Sequence, residues 1–252
     1  MPLIRQLHLA LAFLTRLPVK PLGLLPDGAL AQAMRLFPVV GAIIGLIAGV
    51  VYGLAHLLLP AFAAAGLAVA ASVAVTGGLH EDGLADCADG FGGGSDRDGK
   101  LAIMKDSRIG AFGVLALGLT LMLRAAALAG IGRPALVIGA LMAVHALARA
   151  AIPAVMCTLA AVSRNGLAVA AGQPSAATAG MAATIALAIA AVVLPAAVAT
   201  AAVLAVAAAA VAVGWTAWRQ IGGYTGDVLG AVEQLAECGG LLAVLAALPH
   251  SP

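Results

Sequence analysis

Two long stretches of this chain carry no formal charge: 45 residues from Leu36 to His80 and 54 from Asn165 to Trp218. A helix needs about 20 apolar residues to cross a hydrocarbon core, so each stretch holds two crossings. The first breaks at Pro60, which predicts helices over 37–59 and 62–79. The second breaks near Pro195, which predicts 177–196 and 198–218. Between them, 109–131 and 134–160 read as two more helices, divided by Gly132-Arg133-Pro134. A last apolar piece, 239–249, is too short to cross and reads as re-entrant or interfacial. Only 10% of the residues are charged, where soluble domains carry about a quarter. Disordered, collagen-like and ordinary soluble chains are excluded. The expectation is an all-α, polytopic integral membrane helical bundle of about six transmembrane helices, with 1–252 forming a single domain.

Smaller patterns orient this bundle. Gly41, Gly45 and Gly49 recur at four-residue spacing, leaving one flat helix face that suits close packing in lipid. Residues 1–20 carry Arg5 before a short apolar run, yet no small-x-small cleavage site follows. They read as an amphipathic helix on the membrane surface rather than a signal peptide. With the N-terminus inside, the internal segments hold Arg5, Arg16, Lys20, Arg35, Arg97, Lys100, Lys105, Arg108, Arg164 and Arg219, and the external turns hold Arg133. A Lys/Arg excess marks the cytoplasmic side. The net charge of +2 is too small to argue for nucleic acid. Cys87, Cys157 and Cys238 form no CxxC pair, so no disulfide framework or zinc site is implied.

Seven of the eleven acids fall between Glu81 and Asp106, and three more, Asp227, Glu233 and Glu237, lie within 222–238. A chain that otherwise avoids charge has gathered its carboxylates into two places, 80–110 and 222–238. In the first, Asp82, Asp86 and Asp89 stand at i, i+4 and i+7, on one helix face. Like charges so placed repel unless a cation intervenes. Oxygen ligands without His or Cys at ligand spacing favour Mg²⁺, with Mn²⁺ a possible substitute. The Gly-rich run Gly92-Gly93-Gly94 fits a phosphate cradle or a flexible linker equally well. Lys105 and Arg108 follow at i, i+3. They fit either anchorage of the next span or charge neutralisation during phosphoryl transfer.

Arg124 and Arg149 lie inside predicted spans, where charge is costly and faces the bundle interior. His145 and Arg149 share a helix face. Two readings stand for these groups: contact with an anionic substrate, or pairing with Asp227 or Glu233. In the second acidic segment Asp227 reads either as a pocket residue alongside Glu233 or as a helix N-cap.

Several blocks together carry a family resemblance. They are Phe13-Leu14-Thr15-Arg16-Leu17-Pro18, Phe37-Pro38-Val39-Val40-Gly41, Gly77 to Gly90 with its core His80-Glu81-Asp82-Gly83-Leu84-Ala85-Asp86, Met104-Lys105-Asp106-Ser107-Arg108-Ile109-Gly110, and Gly223-Tyr224-Thr225-Gly226-Asp227. Nearly end to end, the chain resembles the cobalamin synthase (adenosylcobinamide-GDP ribazoletransferase) family. The resemblance implies a Mg²⁺-dependent joining of adenosylcobinamide-GDP to α-ribazole or its 5′-phosphate, with release of GMP, in the bacterial cell inner membrane with the active site on the cytoplasmic side. It implies metal held by Glu81, Asp82, Asp86 and Asp89. It also implies catalytic roles for Asp82, Asp86, Asp89, Lys105, Arg108 and Asp227, with Asp89 or Asp227 acting on the attacking oxygen. Lys105, Asp106, Ser107, Arg108, Arg149, Tyr224, Thr225 and Glu233 are the expected substrate contacts. Beyond its small-molecule substrates and the bilayer, the expected partners are a second copy of the chain and other cobalamin-assembly enzymes.

Two other classes compete. A CDP-alcohol phosphatidyltransferase uses a spaced set of Asp residues, and Asp82-Gly83 with Ala85 matches part of that pattern, without its upstream Asp and its Arg. A small-solute transporter would suit Arg124 and Arg149, but such proteins place polar groups in paired broken helices of repeated halves. No second Asp-rich segment appears here.

Overall fold

The computed structural model describes residues 1–20, 23–162 and 171–249. Its α-helices are α1 (Leu3–Leu14), α2 (Ala29–Ala33), α3 (Phe37–His56), α4 (Ala61–Thr76), α5 (Leu79–Gly93), α6 (Arg97–Met104), α7 (Ala111–Ile131), α8 (Pro134–Thr158), α9 (Ala176–Val193), α10 (Ala196–Ile221) and α11 (Gly226–Ala247). A 3₁₀ turn, Met34–Leu36, joins α2 to α3, so that Ala29–His56 is one 28-residue apolar rod. The architecture is all-α and polytopic, as the charge-free runs require. The breaks fall where the chain chemistry puts them: Pro60 and Pro195 are the N-cap residues of α4 and α10, and Pro134 opens α8. Arg164 lies outside the described residues.

Six helices among the described residues are long and apolar enough to cross a membrane: Ala29–His56, α7, α8, α9, α10 and α11. The number agrees with expectation, and the set does not. The piece over 239–249 is the second half of α11, a continuous 22-residue helix whose first half carries Asp227, Glu233 and Glu237. Those acids hid the span from a hydropathy reading, although Glu233 and Glu237 are neutralised by arginines on other helices. Conversely, the helix expected over 62–79 is the 16-residue α4. It turns through 93° into α5 at Gly77 and Gly78. Both glycines have positive φ (69° and 71°), a backbone state that side chains with a Cβ rarely adopt. Counting α4 and α5 as one broken span raises the total to seven.

α8 is the central and most enclosed span. α3 lies flat against it, because an added Cβ at Gly41 or Gly45 would strike the backbone of His145 or Leu141, and one at Gly49 would come 2.9 Å from Ile138 Cα. The glycine face therefore does the packing work expected of it. α9 and α10 turn Leu187, Val192, Leu204 and Val211 outward, as lipid contact requires. At one end of the bundle the Tyr52 hydroxyl donates to the Gly132 carbonyl at 3.0 Å. At the other, Arg16 N–H donates to Val75 O at 2.7 Å, Arg97 Nε–H to Ile221 O at 2.8 Å, and Tyr224 bridges Ala160 and Val162 through backbone bonds of 2.9 Å. Both acidic segments belong to this second end. α1 packs Leu9, Ala10 and Leu14 inward and leaves Leu3 and Ile4 exposed.

Candidate active site

The two acidic segments meet where α5 crosses the start of α11. A Cβ at Gly83 would stand 2.9 Å from Asp227 O and 3.0 Å from Asp227 Cα; one at Gly230 would stand 3.0 Å from His80 O and 3.1 Å from Gly83 Cα. Two glycines thus bring the helix backbones into contact, and the residues flanking them carry Asp82 and Asp86 on α5 and Asp227 on α11. Asp82 is exposed, and Asp86 and Asp227 are half-buried. Among the described residues no cation pairs with any of the three. α5 is not itself one of the six spans. There, burial together with the neighbouring charges of Asp82, Asp227 and Asp89 pushes the Asp86 carboxyl up to about 6. Thr225, not Asp227, is the N-cap of α11: its hydroxyl oxygen accepts from Val228 N–H at 3.2 Å, and its own O–H donates to Asp227 Oδ2 at 3.2 Å.

Asp89, one turn further along α5, is buried and fully engaged. Its Oδ2 accepts from Gly110 N–H at 2.7 Å and its Oδ1 from Gly113 N–H at 2.9 Å, which satisfies two otherwise unpaired donors at the start of α7. This clamp ties the 105–110 loop to the acidic helix, and Gly92 packing under the Phe112 ring completes it. Lys105, Ser107 and Arg108 on that loop are exposed. Arg108 donates to both oxygens of Asp106 and holds that carboxyl down to about 2. In the Gly-rich run, Gly92 and Gly93 belong to the last turn of α5, and Gly94 packs against Lys100.

Behind the aspartates lies a buried polar cluster. Arg124 of α7 reaches Glu237 Oε2 at 2.6 Å, Gln234 Oε1 at 2.8 Å, Ser72 Oγ at 3.2 Å and Glu81 Oε1 at 3.4 Å. Arg149 of α8 reaches Glu233 Oε1 at 2.6 Å and Glu237 Oε1 at 2.8 Å, and His145 Nδ1 lies 2.6 Å from the same Glu237 oxygen. Gln234 Nε2–H donates to Glu81 Oε1 and Glu233 Oε2, each at 3.0 Å. His80 Nδ1 lies 3.4 Å from Glu233 Oε2. Three carboxylates face two guanidinium groups, so one further proton inside the cluster balances it. Of the partners expected for the intramembrane arginines, Glu233 pairs with Arg149 and Asp227 pairs with neither, while Arg124 pairs with Glu237 and Glu81.

The family model described as Cobalamin-5-phosphate synthase (CobS) matches residues 6–245. The chain belongs to this family. Among its relatives, the adenosylcobinamide-GDP ribazoletransferase of Bradyrhizobium diazoefficiens is 42% identical over 93% of this chain and 90% of its own length. The enzyme of the same name from Rhizobium johnstonii is 43% identical over 95% of both chains, and that from Shewanella frigidimarina 38% over 96% of both. No solved structure matches the chain.

For a cobalamin-5-phosphate synthase, the expected residues divide into two groups. Asp82, Asp86 and Asp227 come together at the helix crossing, with Thr225 beside Asp227. Lys105, Asp106, Ser107 and Arg108 sit on the loop clamped by Asp89. Arg149 and Glu233 are buried to within 1% and paired with one another, so they stand inside the bundle rather than on an open surface. Tyr224 is likewise buried, its backbone joined to the 160–162 segment. Glu81 sits between the groups: Oε1 belongs to the buried cluster, and Oε2 is buried without a partner. Asp82, Asp86 and Asp227, neighbours in charge, and the orphaned Glu81 oxygen are hard oxygen donors of the type a Mg²⁺-like cation takes, although they would have to draw together to hold one ion. Among the described residues the one group whose ligand atoms already lie close enough for an ion is His145, Glu233 and Glu237, and there Arg124 and Arg149 supply the positive charge. Sequence reasoning gave no role to Glu237, Gln234, His80 or Ser72. The available signal was spacing: Glu233 and Glu237 at i, i+4 on one helix match His145 and Arg149 at i, i+4 on another.

Proposed function

We propose that this chain is an adenosylcobinamide-GDP ribazoletransferase, joining adenosylcobinamide-GDP to α-ribazole or its 5′-phosphate with release of GMP. The observation that carries this reading is the meeting of Asp82 and Asp86 with Asp227 across the Gly83–Gly230 contact, in a chain that belongs to this family. When bound, Mg²⁺ would draw charge from the diphosphate and from the departing GMP. Asp82 and Asp86, with Glu81 Oε2, present the oxygens that would hold it. Asp227 lies across from them on α11, where its carboxylate takes the proton of the attacking hydroxyl. Attack on the phosphorus nearer the cobinamide forms the new phosphodiester, the P–O–P bond breaks, and its electron pair leaves on GMP. Asp89 holds the 105–110 loop in place, so that Lys105 and Arg108 stand beside the acidic helix and screen the phosphates.

We further place the site on the cytoplasmic side of the cell inner membrane. Arg16, Arg97, Lys100, Lys105, Arg108 and Arg219 gather at the end of the bundle that carries the site, and Arg133 sits at the other. The test is a substrate comparison in proteoliposomes. Adenosylcobinamide-GDP with α-ribazole 5′-phosphate is expected to give GMP and a new corrinoid. A CDP-lipid with an acceptor alcohol is expected to give nothing. Turnover of the CDP-lipid alone would replace this reading with the phosphatidyltransferase one.

A further inference from the structure

We infer that Arg124 is a positioning residue: it touches neither metal nor substrate, and it sets the direction of the metal-binding helix by holding both arms of the α4–α5 bend. The inference rests on the transferase reading only for its metal.

The local bonds at the bend, Arg16 N–H to Val75 O at 2.7 Å and Gly78 N–H to Val73 O at 3.0 Å, close the end of α4 and leave the course of α5 to contacts beyond it. That helix follows two successive glycines in the left-handed region, and its N-cap, Gly78, offers no side chain to the first turn. A hinge of this kind must be held from outside. The Arg124 guanidinium does so. Its two terminal nitrogens reach Ser72 Oγ on α4, before the bend, Glu81 Oε1 on α5, just after it, and Glu237 and Gln234 of α11. One planar group therefore links α4, α5 and α11 from its own helix, α7. The Gly83–Gly230 contact is the second fixed point on α5. These two points set the start of α5, as the Asp89 clamp sets its far end, and Asp82 and Asp86 take their places beside Asp227 from them. The same bond holds Glu81 by one oxygen and leaves Oε2 open. A lysine would put a single compact charge where a five-donor fork now reaches four partners, so it could not hold both arms at once.

The test measures Mn²⁺ binding by electron paramagnetic resonance on purified, folded protein without substrate, for wild type, Arg124→Lys, Ser72→Ala and the double variant. Arg124→Lys is expected to weaken Mn²⁺ about 10-fold or more, the usual scale for loss of a group that orients a ligand. Ser72→Ala should weaken it less, at an unchanged melting temperature. The double variant should be no weaker than Arg124→Lys alone, because both act through one hinge. KM for the corrinoid substrate should not move. Wild-type Mn²⁺ affinity in folded Arg124→Lys would overturn the inference. If that variant does not fold, wild-type affinity in Ser72→Ala does the same. Mn²⁺ binding that depends on Asp82 but gives no GMP would sink the transferase reading and leave the hinge standing. A wild type that binds no Mn²⁺ would overturn the inference.

Discussion

Gly83→Ala is a one-methyl test of the helix crossing on which the site depends. The added carbon would lie 2.9 Å from the Asp227 carbonyl oxygen and 3.0 Å from Asp227 Cα, both backbone atoms that cannot rotate away. Ordinary contact begins at 3.4 Å, so α5 and α11 must part by about 0.5 Å. Overpacking of this size costs about 1–3 kcal/mol, which leaves the bundle folded. The effect on chemistry is larger relative to its cause. An ångström of misplacement lowers a rate by up to about 100-fold, so half an ångström predicts about 10-fold. The half-saturating Mg²⁺ concentration should stay near the wild-type value, since the residues that would hold the ion all ride on α5 and it is Asp227 that is displaced from them. GMP release would be followed in proteoliposomes across a Mg²⁺ series. Gly66→Ala on α4, whose added methyl meets nothing within 4 Å, is the control and should behave as wild type. Gly83→Ala with an unchanged rate would refute the reasoning.

Further expectations concern packing, protons and charge. Gly45→Leu drives a side chain into the Leu141 backbone, so α3 should separate from α8, with loss of a monodisperse peak in size-exclusion chromatography. Asp86, held up to about 6 from an ordinary 3.8, favours its protonated form in the fold. Its contribution to stability is therefore full below about pH 4 and is lost as pH rises through 6. On the proposed reading bound Mg²⁺ would take the place of that proton, so its stabilising shift in melting temperature should grow from pH 5 to 7; a shift that does not vary with pH would contradict this. Glu237→Ala leaves Arg124 and Arg149 without their shared carboxylate, at a cost of about 3–5 kcal/mol. The expected result is a large drop in melting temperature, and an unchanged one would show that the buried cluster does not stabilise the fold.

Much of this architecture was legible in the chain because lipid leaves few options. Charge-free runs became helices, Pro60, Pro134 and Pro195 marked their starts, and Gly41, Gly45 and Gly49 formed the flat face expected of them. The α11 span was not legible, because its charges are cancelled in three dimensions by Arg124 and Arg149, more than 80 residues away. The right-angle turn at Gly77 and Gly78 was missed for a related reason: glycine permits the bend, and the Arg124 contacts that set its direction come from elsewhere. At the site, i, i+4 spacing put Asp82 and Asp86 on one helix face, and the fold sets both near Asp227. The same face-counting included Asp89, which instead spends both oxygens on the backbone of α7, a tie invisible before Gly110 and Gly113 are placed beside it. The two cysteines Cys87 and Cys238 are simply buried apolar residues.

The central claim is that carboxylates of α5 hold a divalent cation and Asp227 of α11 takes the proton, in one site for the transfer. The most direct measurement is GMP release from proteoliposomes supplied with adenosylcobinamide-GDP and α-ribazole 5′-phosphate, for wild type, Asp82→Ala and Asp227→Ala, across Mg²⁺ concentrations and with EDTA. The account predicts turnover by wild type alone, abolished by EDTA, with both variants inserted normally yet inactive at every Mg²⁺ concentration. Wild-type turnover by Asp82→Ala, or turnover that persists in EDTA, would contradict it.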